Sequence, residues 1–378
     1  MKLLLITSTY PNPSRPYQGI FNQQLVKALQ AMHDVRVIAP IAWTDRLIQR
    51  ETQSESRSPH PNVYHPTFYY PPRIFRWTYD KWYWLSIQSA YRELITTYRP
   101  DVVLGYWAHP DSAAAVHAAR LLDIPSVVMV GGTDICVLAK SGLRRRAIVS
   151  VLMRADRVIA FSHDLAGRVA ALGVSKDRIE VVDRGVDRSI FHIASRDQAR
   201  QKLELEKNCV LVVWVGRLVD VKNPEMALRC AVHWKELFSE RFRLVIIGEG
   251  PLRSRLEKSV AHMGLQACCW FLGAIPQRSV ATWLQAANLT ILTSRSEGVP
   301  NVLRESIACG TDFVATDVGG VREIADPMAD KLVPAGDEIA FQRAVVDKLS
   351  VTIQPNRPTS NYDLHSLAGR VSEILGQV

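Results

Sequence analysis

The chain is 378 residues long, more than the roughly 250–300 residues one core holds, so two domains are expected. Hydrophobic residues at 47% and charged residues at 22% are the balance of a folded soluble protein, which excludes a disordered chain and a bundle of membrane spans. The net charge of +9 predicts an anionic partner, without choosing among phosphate-bearing substrate, anionic lipid and nucleic acid.

The opening MKLLLI is shorter than the roughly 7–15 apolar residues of a signal peptide and reads as a buried strand over 2–7. Similar β-branched or leucine-rich runs follow at 35–39, 102–105, 126–130, 157–161 and 179–182. The second half repeats the pattern at 210–215, 244–247, 270–272, 289–292 and 313–315. Helical stretches separate these runs, which is the signature of parallel strands joined by crossovers and predicts an α/β chain of two Rossmann-like units. The join is expected within DRGVDRSIFHIASRDQ, 183–198, where glycine and aspartate mark a turn and a new helix starts near Arg196. The domains are therefore read as 1–190 and 191–357, with a terminal helix over 358–378 that is able to cross back to the first. ETQSESRSPHP near residue 55 reads as a mobile loop, and the stretch from Ile353 as a polar connection.

No window approaches the ~20 apolar residues of a spanning helix, so a cytoplasmic chain is expected, with any membrane contact peripheral. Among six cysteines only Cys268 and Cys269 are close, a spacing that suits neither a disulfide framework nor a zinc site. No metal and no cofactor are expected.

In the first half, residues 73–87 interleave Arg73, Arg76 and Lys81 with Phe75, Trp77, Tyr79, Trp82, Tyr83 and Trp84. Residues 138–157 add a basic cluster on an amphipathic stretch. Both fit an anionic membrane surface or a sugar or lipid-linked acceptor, and equally an aromatic core helix with solvated flanks. Nucleic acid is disfavoured, because the basic residues form no recognition motif. His109, after the strand 102–105, either enters a crevice as a catalytic group or is a hydrogen-bonded structural histidine.

In the second half, GRLVDVKN at 216–223 follows an apolar strand. Gly216 ends that strand, and Arg217 and Lys222 then stand at the carboxyl edge of a parallel sheet, where open α/β folds bind ligands. They form either a diphosphate clamp that stabilises a departing nucleotide or two solvated charges. SRSEGVPNVLRESIACG, 294–310, follows another strand: Gly298 permits close backbone approach, and a helix beginning at Pro300 or Asn301 offers free N–H groups to an anion. Glu305, eight residues after Glu297, is placed to accept hydrogen bonds from adjacent ribose hydroxyls, leaving Glu297 free to meet a sugar ring. The GEGP turn at 248–251 reads as shaping the crevice. FLGAIPQ at 271–277, with Gly273, Ala274 and Ile275, is a weaker candidate for reading a nucleobase through its backbone.

Together these motifs, followed by ATDVGGVREI, resemble the retaining glycosyltransferase family 4, and are similar to bacterial polysaccharide and teichuronic-acid glycosyltransferases. The resemblance spans nearly the whole chain and is strongest over 205–325. It implies a GT-B fold, two Rossmann-like domains facing each other across a deep cleft, with a nucleotide-sugar as co-substrate, UDP favoured over GDP. By it, Arg217 and Lys222 hold the diphosphate, Glu297 contacts the donor sugar, Glu305 binds the ribose, and amides near Gly298, Val302 and Leu303 complete the site. Gly19, in YPNPSRPYQGIF, matches the glycine that approaches the donor phosphates. The family's histidine position in VVMVGGTDI is Gly131 here, which puts a histidine-assisted step in doubt, and Asp312 stands where the family has proline. The acceptor implied is a glycan or a lipid-linked sugar of surface polysaccharide synthesis. Two rivals are a GT-B sugar-nucleotide epimerase and a non-catalytic partner subunit; the spacing of Glu297 and Glu305 argues against the first, the intact motif against the second.

Overall fold

The computed structural model describes residues 1–50, 61–140, 142–350 and 363–378, so the polar loop around residue 55 and nearly all of the stretch from Ile353 lie outside it. It forms two compact units, Met1–Gly185 with Leu364–Val378, and Val186–Asp363.

The first unit contains β1 (Lys2–Ile6), β2 (Asp34–Ile38), β3 (Ile41–Ala42), β4 (Val63–Tyr64), β5 (Thr67–Phe68), β6 (Val102–Tyr106), β7 (Ser126–Val130), β8 (Arg157–Ala160) and β9 (Ile179–Val181). Seven form a parallel sheet in the order β4-β2-β1-β6-β7-β8-β9, and β3 pairs with β5 apart from it. Leu3, Leu4, Leu5 and Ile6 are all buried, as a strand covered on both faces requires. Strands β3, β4 and β5 have two residues each, too few to show a period in sequence.

Helix Tyr79–Thr97 divides its aromatics by face. Tyr83, Ile87, Tyr91 and Leu94, spaced by four, four and three, are buried, while Trp82 and Leu85 remain exposed. Neither a wholly buried aromatic helix nor a wholly exposed one describes it. The terminal helix Leu364–Leu375 packs on helix Ile20–Leu29, burying Leu367, Ala368, Val371, Ile374 and Leu375. His33 Nε2 lies 2.8 Å from Ser372 Oγ, and Arg370 reaches Glu180 at 3.0 Å.

The second unit is one parallel sheet of β10 (Val210–Val215), β11 (Phe242–Ile247), β12 (Cys269–Gly273), β13 (Leu289–Leu292), β14 (Phe313–Thr316) and β15 (Lys331–Val333). Its order is β12-β11-β10-β13-β14-β15. Arg200, buried, ties the sheet's amino edge together: it donates to the carbonyls of Ala286 (3.1 Å) and Lys207 (2.7 Å) and to Asn288 Oδ1 (2.7 Å).

Each sheet winds outward in both directions from a single switch point, between β1 and β6 in the first and between β10 and β13 in the second. Loops at the carboxyl ends diverge there and leave a crevice.

The terminal helix contributes apolar cover to the first unit. Replacing Ile374, which is fully buried, with alanine is expected to cost about 2–4 kcal/mol in urea unfolding followed by circular dichroism.

Candidate functional site

At the second switch point the loops after β10, β11 and β13 interlock through their backbones. The Gly216 N–H donates to the Ile247 carbonyl and the Leu218 N–H to the Glu249 carbonyl, both at 2.9 Å. A Cβ on Gly248, which has φ +138, would stand 1.9 Å from the Gly216 oxygen, and one on Gly250 2.4 Å from the Leu218 oxygen. The GEGP turn is therefore glycine-rich because it packs backbone to backbone on the loop that carries Arg217 and Lys222. Arg217 is exposed at the strand end. Asn223, in the left-handed region, then turns the chain so that Pro224 opens helix Pro224–Phe238.

The loop after β13 is bolted to the same place. Trp214 Nε1 donates to Thr293 Oγ1 at 3.1 Å, and that hydroxyl lies 3.2 Å from the Lys222 carbonyl and 2.8 Å from that of Asn223. The Arg295 N–H donates to the Val221 carbonyl at 2.8 Å. Behind it, the Thr316 hydroxyl donates to the Ser294 carbonyl at 2.6 Å, and the Gly320 N–H to that of Gly298 at 2.9 Å.

These ties bring Lys222 Nζ to 2.5 and 2.7 Å from the two carboxylate oxygens of Glu297, while Ser294 Oγ donates to Oε1 at 2.5 Å. Glu297 is buried. Desolvated at the sheet edge, Glu297 has its charge held by a cation and a hydroxyl. The pairing joins two residues 75 positions apart, a proximity that no local spacing announces.

Glu305 lies in helix Asn301–Ala308. It is half-buried, makes no hydrogen bond through its carboxyl group among the described residues, and burial pushes that carboxyl up to about 7. A desolvated acceptor of this kind gains from an incoming pair of hydroxyls. The side chains of Val302 and Leu303 point into the core, and the Leu303 N–H donates to the Pro300 carbonyl at 3.2 Å. Gly273, at φ +73, accepts the Gly248 N–H at 2.8 Å; Ala274 beyond it is exposed and Ile275 half-buried. Asp312 pairs with Lys348 at 2.6 Å.

At the carboxyl edge of the first sheet, Gly19 has φ +70 and a Cβ there would stand 2.2 Å from the Thr9 oxygen, so the loop after β1 folds against the start of helix Ile20–Leu29. His109 is fully buried, its Nε2 3.6 Å from Asp80 Oδ1 on helix Tyr79–Thr97. That burial corrects the catalytic reading of His109: with no exposed surface its ring meets Asp80, not a reacting atom.

Two groups escaped the sequence reading. Asp134, fully buried, accepts the backbone N–H groups of Ala108 (2.9 Å), Gly131 (3.1 Å), Gly132 (2.8 Å) and Ile135 (3.1 Å), and burial raises its carboxyl. Arg184, also buried, packs its guanidinium 4.0 Å from the Phe161 ring and 4.4 Å from that of Phe21. Asp134 lay within the GGTDI stretch, but Arg184 left no local signal, since its cage comes from three other elements. Among the described residues no group of three or more His, Cys, Asp or Glu stands where a metal ion could be held.

Residues 195–361 match the profile of the glycosyl transferases group 1, and residues 18–190 that of Glycosyltransferase Family 4. Across 94% of both chains the sequence is 27% identical to TuaC of Bacillus subtilis strain 168, which carries the name of a teichuronic acid biosynthesis glycosyltransferase. The fold is similar to that of HepE from Anabaena solved with UDP, at TM-score 0.74 and 17% identity over the whole of both chains. It is also similar to a sucrose-phosphate synthase from Thermosynechococcus elongatus, at TM-score 0.80 and 19% identity over all of this chain and 98% of that one.

Glu305 holds its proton more tightly folded, near 7, than in an ordinary carboxylate at 4.5, so folding takes up a proton between those values. Stability is expected to fall as pH rises from about 4.5 to about 7 and to level off above. Urea unfolding across that range should show the slope shrink in Glu305→Gln.

Proposed function

We propose that this chain, whose two halves match Glycosyltransferase Family 4 and the glycosyl transferases group 1 and which has the GT-B fold of two Rossmann-like units, takes a nucleotide-diphosphate sugar as donor. The observation that carries this reading is the Lys222–Glu297 pair at the carboxyl edge of the second sheet, with Arg217 exposed at the end of β10. An incoming diphosphate offers Lys222 a denser negative charge than one carboxylate does. Lys222 then turns to the phosphates beside Arg217, and Glu297 is released toward the hydroxyls of the donor sugar. Glu305 accepts from the ribose hydroxyls, and amides near Gly298, Val302 and Leu303 face the phosphates and sugar. Gly273, Ala274 and Ile275 border the base.

The reaction proposed is a hexosyl transfer with retention, by front-face displacement. Arg217 and Lys222 stabilise the leaving nucleoside diphosphate, and a donor phosphate oxygen helps deprotonate the acceptor hydroxyl. The two cations do this work with no metal ion or cofactor. UDP is the favoured nucleotide, with GDP second; the UDP bound to HepE favours a UDP-sugar, and the teichuronic acid biosynthesis in the name of TuaC favours a surface polysaccharide acceptor.

The acceptor belongs to the first unit. Phe75, Trp77 and Trp82 are exposed at the start of helix Tyr79–Thr97 beside Arg73, Arg76 and Lys81. No helix among the described residues is long and apolar enough to cross a membrane. The patch fits adsorption to an anionic bilayer that carries a lipid-linked acceptor.

Thermal unfolding with UDP, GDP, ADP and their sugar conjugates tests the donor site. One nucleotide is expected to raise Tm by mass action in the wild type and not in Lys222→Ala; equal shifts in both proteins would refute the site. Flotation should recover the protein with vesicles of phosphatidylcholine and phosphatidylglycerol but not of phosphatidylcholine alone, and Trp77→Ser with Trp82→Ser should abolish recovery.

A further inference from the structure

We propose that Trp107 is a stacking platform for a pyranose ring at the carboxyl edge of the first sheet, an inference that rests on the glycosyl-transfer reading above. The switch point of that sheet lies between β1 and β6, and Trp107 is the residue that follows β6. By topology this is where a ligand of the first unit meets the sheet.

Trp107 has φ +80, a backbone conformation that bulky residues avoid and glycine adopts freely. Three neighbours hold it there. Its N–H donates to the Met129 carbonyl at 3.0 Å, its own carbonyl accepts the Ser112 N–H at 3.0 Å, and the adjoining Ala108 N–H is bound by the Asp134 carboxylate at 2.9 Å. Strain sustained by such over-determination calls for a function.

The destination of the indole supplies one. A Cβ built on Gly131, at the end of β7, would stand 2.8 Å from the Trp107 ring and 2.7 Å from the Tyr106 hydroxyl. The indole therefore lies directly against the Gly131 backbone, and only glycine leaves room for it. Trp107 is half-buried, so the ring is fixed on one side and still meets solvent. A rigid aromatic surface with a polar rim suits the C–H face of a sugar ring.

Hydrogen-bonding groups adjoin it. Arg184 donates to the Tyr106 hydroxyl at 3.4 Å, and its planar fork carries further N–H donors. The nearby charges favour a neutral polyhydroxyl ligand over a phosphate. Asp134 sits one residue away through Ala108, Asp111 at the start of helix Asp111–Leu122 is buried against Tyr83, and Arg144 and Arg184 are the cations near them, so the edge carries no excess positive charge for a phosphate.

The ring to be stacked comes from the donor or from the acceptor, and saturation-transfer NMR on the full chain separates them. One arm uses UDP-glucose, UDP-N-acetylglucosamine and GDP-mannose, reading sugar and nucleoside protons separately. The other uses methyl α-hexopyranosides in the presence of UDP or GDP, with acyclic glucitol as control. Sugar-ring protons should saturate in one arm with the wild type. Saturation should weaken by about five- to tenfold in Trp107→Gly, which keeps the backbone and removes the ring, and in Gly131→Ala, which displaces it. Nucleoside protons should be unaffected. If Trp107→Gly lowers Tm, Trp107→Asn, which also accepts a left-handed backbone, carries the comparison. Equal sugar saturation in wild type and variants overturns the proposal, as does saturation of nucleoside protons with none on any sugar ring. Absence of nucleoside saturation in the wild type overturns the donor reading and this proposal with it.

Discussion

The candidate site of the second unit depends on loops that approach one another more closely than side chains allow. Gly248 and Gly250 let the turns after β10 and β11 hydrogen-bond backbone to backbone, and Gly319 brings the turn after β14 within a missing Cβ of the Glu297 carbonyl. Because each loop is fixed by the next, Lys222 and Glu297 meet at bonding distance without relying on their own flexible stems. Such preorganisation is what an electrostatic site requires, since dipoles and charges that must first be arranged lose much of their effect.

The Lys222–Glu297 pair has a second consequence. Buried ion pairs gain little net stability over apolar packing, because desolvation opposes their attraction. What the pair does is fix the position of two charges at the carboxyl edge of the second sheet. Glu305 shows the alternative, a carboxyl left without a partner and pushed toward its neutral form by burial. The helix thus carries a carboxyl with no hydrogen-bond partner among the described residues, and the preceding loop a carboxylate already paired.

The first unit reaches its sheet edge by different means. Its buried polar groups include Asp134 in a cradle of backbone amides, Asp111, and Arg184 in an aromatic cage. Where the family pattern places a histidine, the Gly131 site is filled from the side by Tyr106 and Trp107. His109, the histidine that looked available in sequence, is buried against Asp80. A residue type can therefore be present near the right strand end and still face the wrong way, because the loop's path and not its composition aims the side chain.

By itself the sequence determined the alternation of strands and helices, the α/β class, and which loops carry glycines and charges at strand ends. These are local properties, set by periodicity, turn chemistry and short motifs. Strands β3, β4 and β5 escaped because two residues carry no period, and β15 escaped although β9, also three residues, was legible in the run 179–182. Only the tertiary structure decided that Glu297 is paired and Glu305 is not, that His109 is interior, and that Trp107 lies on Gly131. Each of these is a contact across dozens of residues, or a direction imposed by a neighbouring loop. A one-dimensional pattern fixes which face a residue shares with its neighbours in sequence, and leaves open which distant group fills the space in front of it.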